Sequence, residues 1–321
     1  MDAIFQETYG PIESLTSRDI ATPAIGDDEV LVRVRAAALH IGDCFAVTGS
    51  PLPVRMVSGL RRPKYGVPGF DVAGDVAAVG ANVTAFRPGD AVFGVGQGTC
   101  AEYTRASVTS LAAKPVGLTY EEAAAIPTSA LAALHGLRAA KLRAGQTILI
   151  NGAAGGVGTF AIQIAKTLGA EVTAVCSTPN VDVMRSIGAD HVIDYTREDF
   201  TAGGARFDVV FDNIENRPVD ECRRALTPDG TLVLNSGRGV GGLGMLVRLV
   251  SPLVRSLFGR QKMRRFISSA NAADLALLRS LVEEGKLRPV IDSTYALRET
   301  VTALRRIKAG HARGKVVIAV A

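Results

Sequence analysis

The stretch from Ile148 to Gly158 constrains this chain more than any other. Ile148-Leu149-Ile150-Asn151 is an apolar run that stops at Gly152-Ala153-Ala154-Gly155-Gly156-Val157-Gly158, and a helical pattern over Val157–Leu168 begins inside that cluster of small residues. This is the sequence form of a strand, a tight turn and a helix N-terminus. Such a terminus offers free amide groups and a positive dipole end to a phosphate. A pyrophosphate must approach the backbone closely, and a Cβ at the contact would block it. Gly155 and Gly158 fit the second and third positions of G-x-G-x-x-G, with Ala153 at the first. A lone match is a weak signal. Here a strand precedes it and a helix follows, so a dinucleotide is implied, with hydride transfer as the chemistry.

The surrounding pattern agrees. Val30–Ala36, Asp71–Val79 and Asp90–Gly94 read as short strands separated by turn material such as Arg87-Pro88-Gly89. The texture changes after Lys114-Pro115. Thr119, with Glu122 three residues on, predicts a capped helix start. Pro127 interrupts, and Thr128–Ala140 continues as helix. From Gln146 strands and helices alternate: strands at Ile148–Asn151, Glu171–Cys176, His191–Asp194, Phe207–Asp212 and Thr231–Asn235, helices at Val157–Leu168, Val181–Ile187 and Pro218–Leu226. Such alternation predicts a parallel sheet covered on both faces. Lys315–Val320 reads as a final strand. Val240–Phe258 is apolar but carries Arg248, Arg255, Pro252 and three glycines. It reads as a buried or substrate-covering helical segment, with a membrane-surface helix as the alternative.

Composition narrows the function. Of 321 residues 47% are hydrophobic and 21% charged, which suits two domains with sizeable cores. A net charge of +5, with 5% aromatics and no Trp, does not point to nucleic acid. Cys44, Cys100, Cys176 and Cys222 form no Cys-x-x-Cys pair, so reduced thiols and a cytoplasmic location are expected. Met1–Ile12 shows no apolar signal region.

The second strand decides between NAD and NADP. An NAD reader places Asp or Glu at its end for the ribose 2′-hydroxyl. Val175-Cys176-Ser177-Thr178-Pro179-Asn180 offers no carboxylate before Asp182. Small hydroxyls leave room for a 2′-phosphate, so NADPH is expected, with NADH as the alternative. Arg185 either supplies charge to that phosphate or is a solvated helix residue.

The chain resembles the zinc-independent medium-chain dehydrogenase/reductases, in particular the quinone oxidoreductase-like group. The resemblance is carried nearly end to end by Pro68-Gly69-Phe70-Asp71-Val72-Ala73-Gly74, Val79-Gly80, Phe86–Gly94, Ala101-Glu102-Tyr103, the glycine loop, Gly188–Tyr195 and Gly314-Lys315-Val316-Val317. It implies an α/β fold: a GroES-like β domain from residues 1–117 with 287–321, and a Rossmann doubly wound parallel sheet over 118–286. It also implies hydride transfer from NADPH to a quinone or to the C=C of an α,β-unsaturated carbonyl, and a homodimer. By position, Ala153, Gly155, Gly156, Val157 and Gly158 would hold the pyrophosphate. Ser177 and Tyr195 match positions at the adenosine phosphate, and Asn213, Asn235 and Ser236 positions on the nicotinamide side. The family often has a basic residue where Pro179-Asn180 stand. Many members read Asn-Pro-x-Asp at His40-Ile41-Gly42-Asp43, and some carry Tyr where Phe45 stands. No proton donor is carried over there.

Zinc-dependent relatives use a Cys near position 40, a Gly-His-Glu near 70 and a later third ligand. Here Phe70 stands where His would be, and one His does not make a site that needs about three protein ligands. No metal is expected. A conjugated acceptor delocalises the incoming charge and does without a Lewis acid. His40, Asp43, Phe45, Tyr65 and Thr128 are the candidate residues of a cleft between the domains, Thr128 also as a cofactor contact. For Asp43 and Tyr65 a turn-capping carboxylate and a packed aromatic are the alternatives. The competing functional readings are a zinc alcohol dehydrogenase and a non-catalytic NADPH-binding sensor or scaffold.

Overall fold

The computed structural model describes residues 1–235, 260–310 and 312–321. The expectation for Val240–Phe258 and the candidate Ser236 lie outside them. Strands β1 (Asp2–Phe5), β2 (Thr16–Asp19), β3 (Glu29–Leu39), β4 (Asp71–Val79), β5 (Ala91–Val95), β6 (Tyr103–Ser107) and β7 (Leu111–Ala113) come first. They are followed by β8 (Thr147–Asn151), β9 (Glu171–Cys176), β10 (His191–Asp194), β11 (Phe207–Asp212), β12 (Leu226–Leu234) and β13 (Lys262–Arg265). β14 (Ile291–Ala296) and β15 (Lys315–Ala319) are the last. Among the described residues no helix is long and apolar enough to cross a membrane.

Two compact units result, Met1–Leu131 with Ser269–Ala321 and Ala132–Ser268. In the first, the main sheet runs β14-β15-β3-β4-β5-β7, with β6 also paired to β3. β3 is its hub. It pairs antiparallel with β15, β4 and β6, and its Val30, Val32, Val34, Ala37 and Leu39 enter one core with Val72, Val76, Val92, Val316 and Ile318. The alternation of small β-branched residues along β3 allows this, since one face of a strand repeats every second residue. A short helix over Tyr120–Ala124 starts with the Thr119–Glu122 capping box foreseen from the sequence. It packs on β3 and β4, and a helix over Ala272–Glu283 packs on β7. Residues 118–131 and 269–286 therefore group with the β-rich unit, whereas the sequence reading set its limits at 117 and 287.

A buried ion pair ties the two chain segments of this unit together. Lys315, at the start of β15, is 1% exposed, and its Nζ lies 2.9 Å from Oδ2 of Asp71, which is 0% exposed. The other carboxylate oxygen of Asp71 accepts the Thr128 N–H (2.9 Å) and the Thr128 hydroxyl. Each carboxylate oxygen thus has at least one donor and the charge has a counter-ion, which is the condition for tolerating a buried charge.

The second unit is a six-stranded all-parallel sheet in the order β10-β9-β8-β11-β12-β13. Counted from β8 this is 3-2-1-4-5-6, the doubly wound order, and it reverses between β8 and β11. Leu149, Val210, Leu232 and Met263 from four neighbouring strands share one core with Phe200, Phe207 and Cys222.

Lys315→Met should remove one partner of the buried pair and leave the Asp71 charge uncompensated, at a cost of about 3–5 kcal/mol. Arg260→Met, at the exposed pair with Asp229, should be nearly silent. Urea unfolding of both variants checks the contrast; equal losses would mean that the Lys315 pair is not structural.

Candidate functional site

At the C-terminal end of β8 the chain turns at Gly152, with φ +74°, and a Cβ there would come within 2.6 Å of Ile214. The tight turn thus sits one residue ahead of Ala153. Ala153 itself is buried, its N–H on the Val175 carbonyl at 3.1 Å. That arrangement explains why alanine is accepted at the motif's first position. A helix over Gly156–Thr167 follows, with Gly155 as its extended N-cap residue and no acidic residue in its first turn. The first amides of the helix, on Gly156, Val157 and Gly158, have no intrahelical acceptor.

The two motif glycines are required for different reasons. A Cβ on Gly158 would lie 2.4 Å from the Gly152 carbonyl oxygen and 2.6 Å from Ala153 Cα, so this glycine lets the helix close on its own turn. A Cβ on Gly155 would meet only the Gly152 oxygen, at 3.5 Å. The protein leaves that space open, beside free amides, at the point where the strand order reverses. A diphosphate fits such a cradle in charge, donors and room.

Polar side chains line the same sheet edge. Asn151 Nδ2 donates to Asp212 Oδ1 (2.8 Å) and to Asn216 (3.0 Å). Asp212 Oδ1 also accepts the Ile214 and Glu215 amides at 3.0 and 2.8 Å. Burial raises the Asp212 carboxyl above its ordinary range, and these donors only partly offset it. Asn213 Nδ2 donates to the Asn151 carbonyl (3.2 Å), and Asn235 Nδ2 to Asn213 Oδ1 (2.8 Å). The structure therefore brings Asn213 and Asn235 together beside the strand end that carries the glycine turn.

At the end of β9, Ser177 Oγ accepts from Asn180 Nδ2 at 2.9 Å. Tyr195 is exposed, and its N–H holds the Cys176 carbonyl at 3.0 Å. Arg185 faces solvent, 3.7 Å from the exposed Asp182, which is the solvated-residue reading. Two residues here were not legible in the sequence. Asp194, opposite Cys176 in register, accepts the Thr178 hydroxyl at 2.5 Å and the Thr196 amide and hydroxyl at 3.0 and 2.8 Å. The Thr178 bond leads the causes that hold its carboxyl below the usual range. A carboxylate does lie beside the second strand, but its oxygens are already taken. Arg197, exposed, stands 3.5 Å from Asp194 Oδ2 and brings a cation to this edge.

In the β-rich unit, His40 caps the helix Ile41–Thr48. Its Nδ1 accepts the Gly42 N–H at 2.9 Å, which leaves the ring proton of the neutral form on Nε2. His40 Nε2 is buried and, among the described residues, has no hydrogen-bond partner. The ring stacks on Phe70 at 5.8 Å. Asp43 is 0% exposed and accepts the His40 N–H at 2.7 Å. Of its two readings the geometry displays the capping carboxylate, and burial pushes its carboxyl up. Phe45 and Tyr65 are half-buried, Tyr65 with Lys64 5.2 Å over its ring. Thr128 has its amide and hydroxyl committed to Asp71. The Asp71–Lys315 pair was missed as a unit. Its signal was a lone lysine opening an apolar strand, which demands a buried anion.

Among the described residues no group of three or more His, Cys, Asp or Glu side chains could hold a metal ion. Cys44 is buried with its Sγ toward the Leu304 carbonyl (3.6 Å), and burial pushes its thiol up to about 12.

The family model described as an alcohol dehydrogenase GroES-like domain matches residues 26–136, and that described as a zinc-binding dehydrogenase matches residues 187–318. The 2-methylene-furan-3-one reductase of Solanum lycopersicum is 34% identical over 331 residues, covering 97% of this chain and 76% of that protein. The chloroplastic NADPH-dependent alkenal/one oxidoreductase of Arabidopsis thaliana is 33% identical, covering 99% and 79%. Among solved structures, the quinone oxidoreductase from Coxiella burnetii aligns over 100% of this chain and 99% of its own, with a TM-score of 0.87 and 31% identity.

If the open space at Gly155 is for a ligand, Gly155→Val should cost stability only through weaker N-capping, about 1 kcal/mol. A clash of roughly 1–3 kcal/mol would weaken dinucleotide binding about 5- to 150-fold. Gly158→Ala should lower the midpoint further, because it meets backbone. Nucleotide fluorescence titration and thermal unfolding of both variants separate the two roles. Unaltered binding by Gly155→Val would remove the cradle.

Proposed function

Because the chain belongs to the medium-chain dehydrogenase/reductases, in the quinone oxidoreductase-like group, we propose that it is an NADPH-dependent reductase of quinones or of the C=C of α,β-unsaturated carbonyls, working without zinc. The observation that carries this reading is the unfilled cradle at Gly155 beside the free amides of Gly156, Val157 and Gly158, at the sheet's switch point. The relatives named as an NADPH-dependent alkenal/one oxidoreductase and a quinone oxidoreductase support it.

In this reading Gly155–Gly158 hold the diphosphate, with Ala153 closing the turn beneath. Bound there, the nucleotide supplies the hydride. Asn213 and Asn235, fixed to each other and to the β8 end, orient the ring side by amide hydrogen bonds. Ser177 and Tyr195 flank the adenosine phosphate, with Arg197 as its cation, since it follows Tyr195 by two residues at the β10 end that pairs with the end of β9. His40 Nε2–H, a buried donor with no partner among the described residues, is the group for the acceptor's carbonyl oxygen. A buried donor left unmet costs about 1–3 kcal/mol, and a substrate oxygen would recover that. Asp43 holds the His40 backbone and positions the ring. The charge that develops on a conjugated acceptor is spread over its own π system and needs no metal. Water suffices to protonate the reduced acceptor.

The same reading carries a homodimer, for which β10 and β13 offer the outer strands of the parallel sheet. It also carries a cytoplasmic location, which suits four buried free thiols.

The deciding experiment is consumption of NADPH and of NADH with quinones, enals and enones, run with and without a chelator. NADPH turnover that the chelator does not touch is expected. No turnover with any acceptor, or loss of activity restored by zinc, would overturn the reading in favour of a binding protein or a zinc alcohol dehydrogenase. Arg197→Ala should raise KM for NADPH several-fold and leave KM for NADH unchanged. An equal effect on both would remove Arg197 from the 2′-phosphate.

A further inference from the structure

Between Cys44 and Phe70 the chain carries Arg55, Arg61, Arg62 and Lys64 and no carboxylate. The same stretch holds an unusual concentration of bare apolar side chains. Leu52 is 71% exposed, Met56 79%, Val57 85% and Leu60 74%. Other large exposed apolar residues, such as Val116, Leu168 and Ile267, are scattered along the chain, and scattered ones need no explanation.

The local geometry makes this a fixed knuckle. A 3-10 turn over Leu52–Val54 runs into a helical turn over Arg55–Ser58. Met56 and Val57 sit in the helical turn, Leu52 in the 3-10 turn before it and Leu60 just past the break at Gly59, so four bare apolar side chains crowd one short segment. The opposite side is tied down. Arg55 Nε donates to the Gly49 carbonyl at 3.0 Å, with its guanidinium 4.6 Å over the Tyr9 ring. Tyr9 OH reaches Ser58 Oγ at 2.8 Å and the Gly59 carbonyl at 2.5 Å. So the apolar face cannot fold back to bury itself. Arg61, Arg62 and Lys64 are exposed at its edge, and among the described residues none of them forms an ion pair.

We propose that this knuckle, Leu52 to Lys64, docks the protein on an anionic phospholipid surface. Leu52, Met56, Val57 and Leu60 would enter the headgroup–acyl boundary, with Arg61, Arg62 and Lys64 on lipid phosphates. Charge complementarity selects this occupant. An acidic protein would use the cations but not four uncovered aliphatic side chains on one short segment. A second copy meeting the patch through a two-fold axis would set like charges against each other. A membrane of negative surface potential satisfies both halves at once. The proposal is independent of the hydride chemistry.

Co-sedimentation of the full chain with phosphatidylcholine vesicles, and with vesicles containing about one-third phosphatidylglycerol, tests it at roughly physiological salt. Binding is expected only to the anionic vesicles. Each cation removed should weaken it roughly fivefold, so Arg61→Ala with Arg62→Ala should lose about 25-fold. Met56→Glu with Leu60→Glu should abolish it, with thermal unfolding confirming the fold. If that variant does not fold, the arginine variant decides alone. No binding by the wild-type chain, equal binding to neutral vesicles, or binding unchanged in both variants would overturn the proposal. So would a concentration-dependent dimer that Met56→Glu with Leu60→Glu dissolves, since that would assign the face to a second copy.

Discussion

The structure depends on a close approach of backbone to backbone where β8 ends. The helix over Gly156–Thr167 must begin against the Gly152–Ala153 turn, and only a residue without Cβ at position 158 permits that contact. The approach aims the unmet amides of the first helical turn at the sheet's switch point. It also leaves a space at Gly155 that no atom of the described residues fills. A loosely packed turn would keep the same residues but scatter the amides, and a charged phosphate would then bind no better than at any exposed helix end.

The β-rich unit is organised by a different constraint, the solvation of buried charge. Asp71 and Lys315 lie far apart in sequence and meet out of water. Thr128 completes the carboxylate's hydrogen bonds, so a residue that looked like a cofactor contact has its polar groups spent on structure. Asp43 tells a similar story, a carboxyl fully buried at a helix start with burial pushing its proton affinity up. By contrast, His40 carries an unmet buried donor. Beside it Asp43 Oδ1 is also without a partner among the described residues, so this corner keeps both a donor and an acceptor open to a ligand.

Much of this was legible along the chain because the signals are local. The Thr119–Glu122 box, β9, β10, β11 and β4 stand where pattern and capping residues put them. The helix at Ile41–Thr48 and the helix at Ala272–Glu283 were not foreseen, nor was β13. β13 reads Lys-Met-Arg-Arg, which carries no strand pattern; its pairing with β12 makes it a strand. The engaged Asp194 and the cation Arg197 were equally invisible, since each depends on which strand ends become neighbours.

The sequence by itself determined the periodicities, the glycine loop, the absence of a carboxylate after the second strand and the cation-only stretch before Asp71. These are properties of consecutive residues, and short-range sterics and hydrophobic spacing read them directly. Only the tertiary structure decided which polar groups remain free. Thr128 and Asp194 turned out to be engaged, while among the described residues His40 Nε2, the space at Gly155 and the exposed apolar side chains of Leu52 to Leu60 stayed unpartnered. Hydrogen bonding and burial join residues tens to hundreds of positions apart, and no local pattern records whether a given donor has found its acceptor.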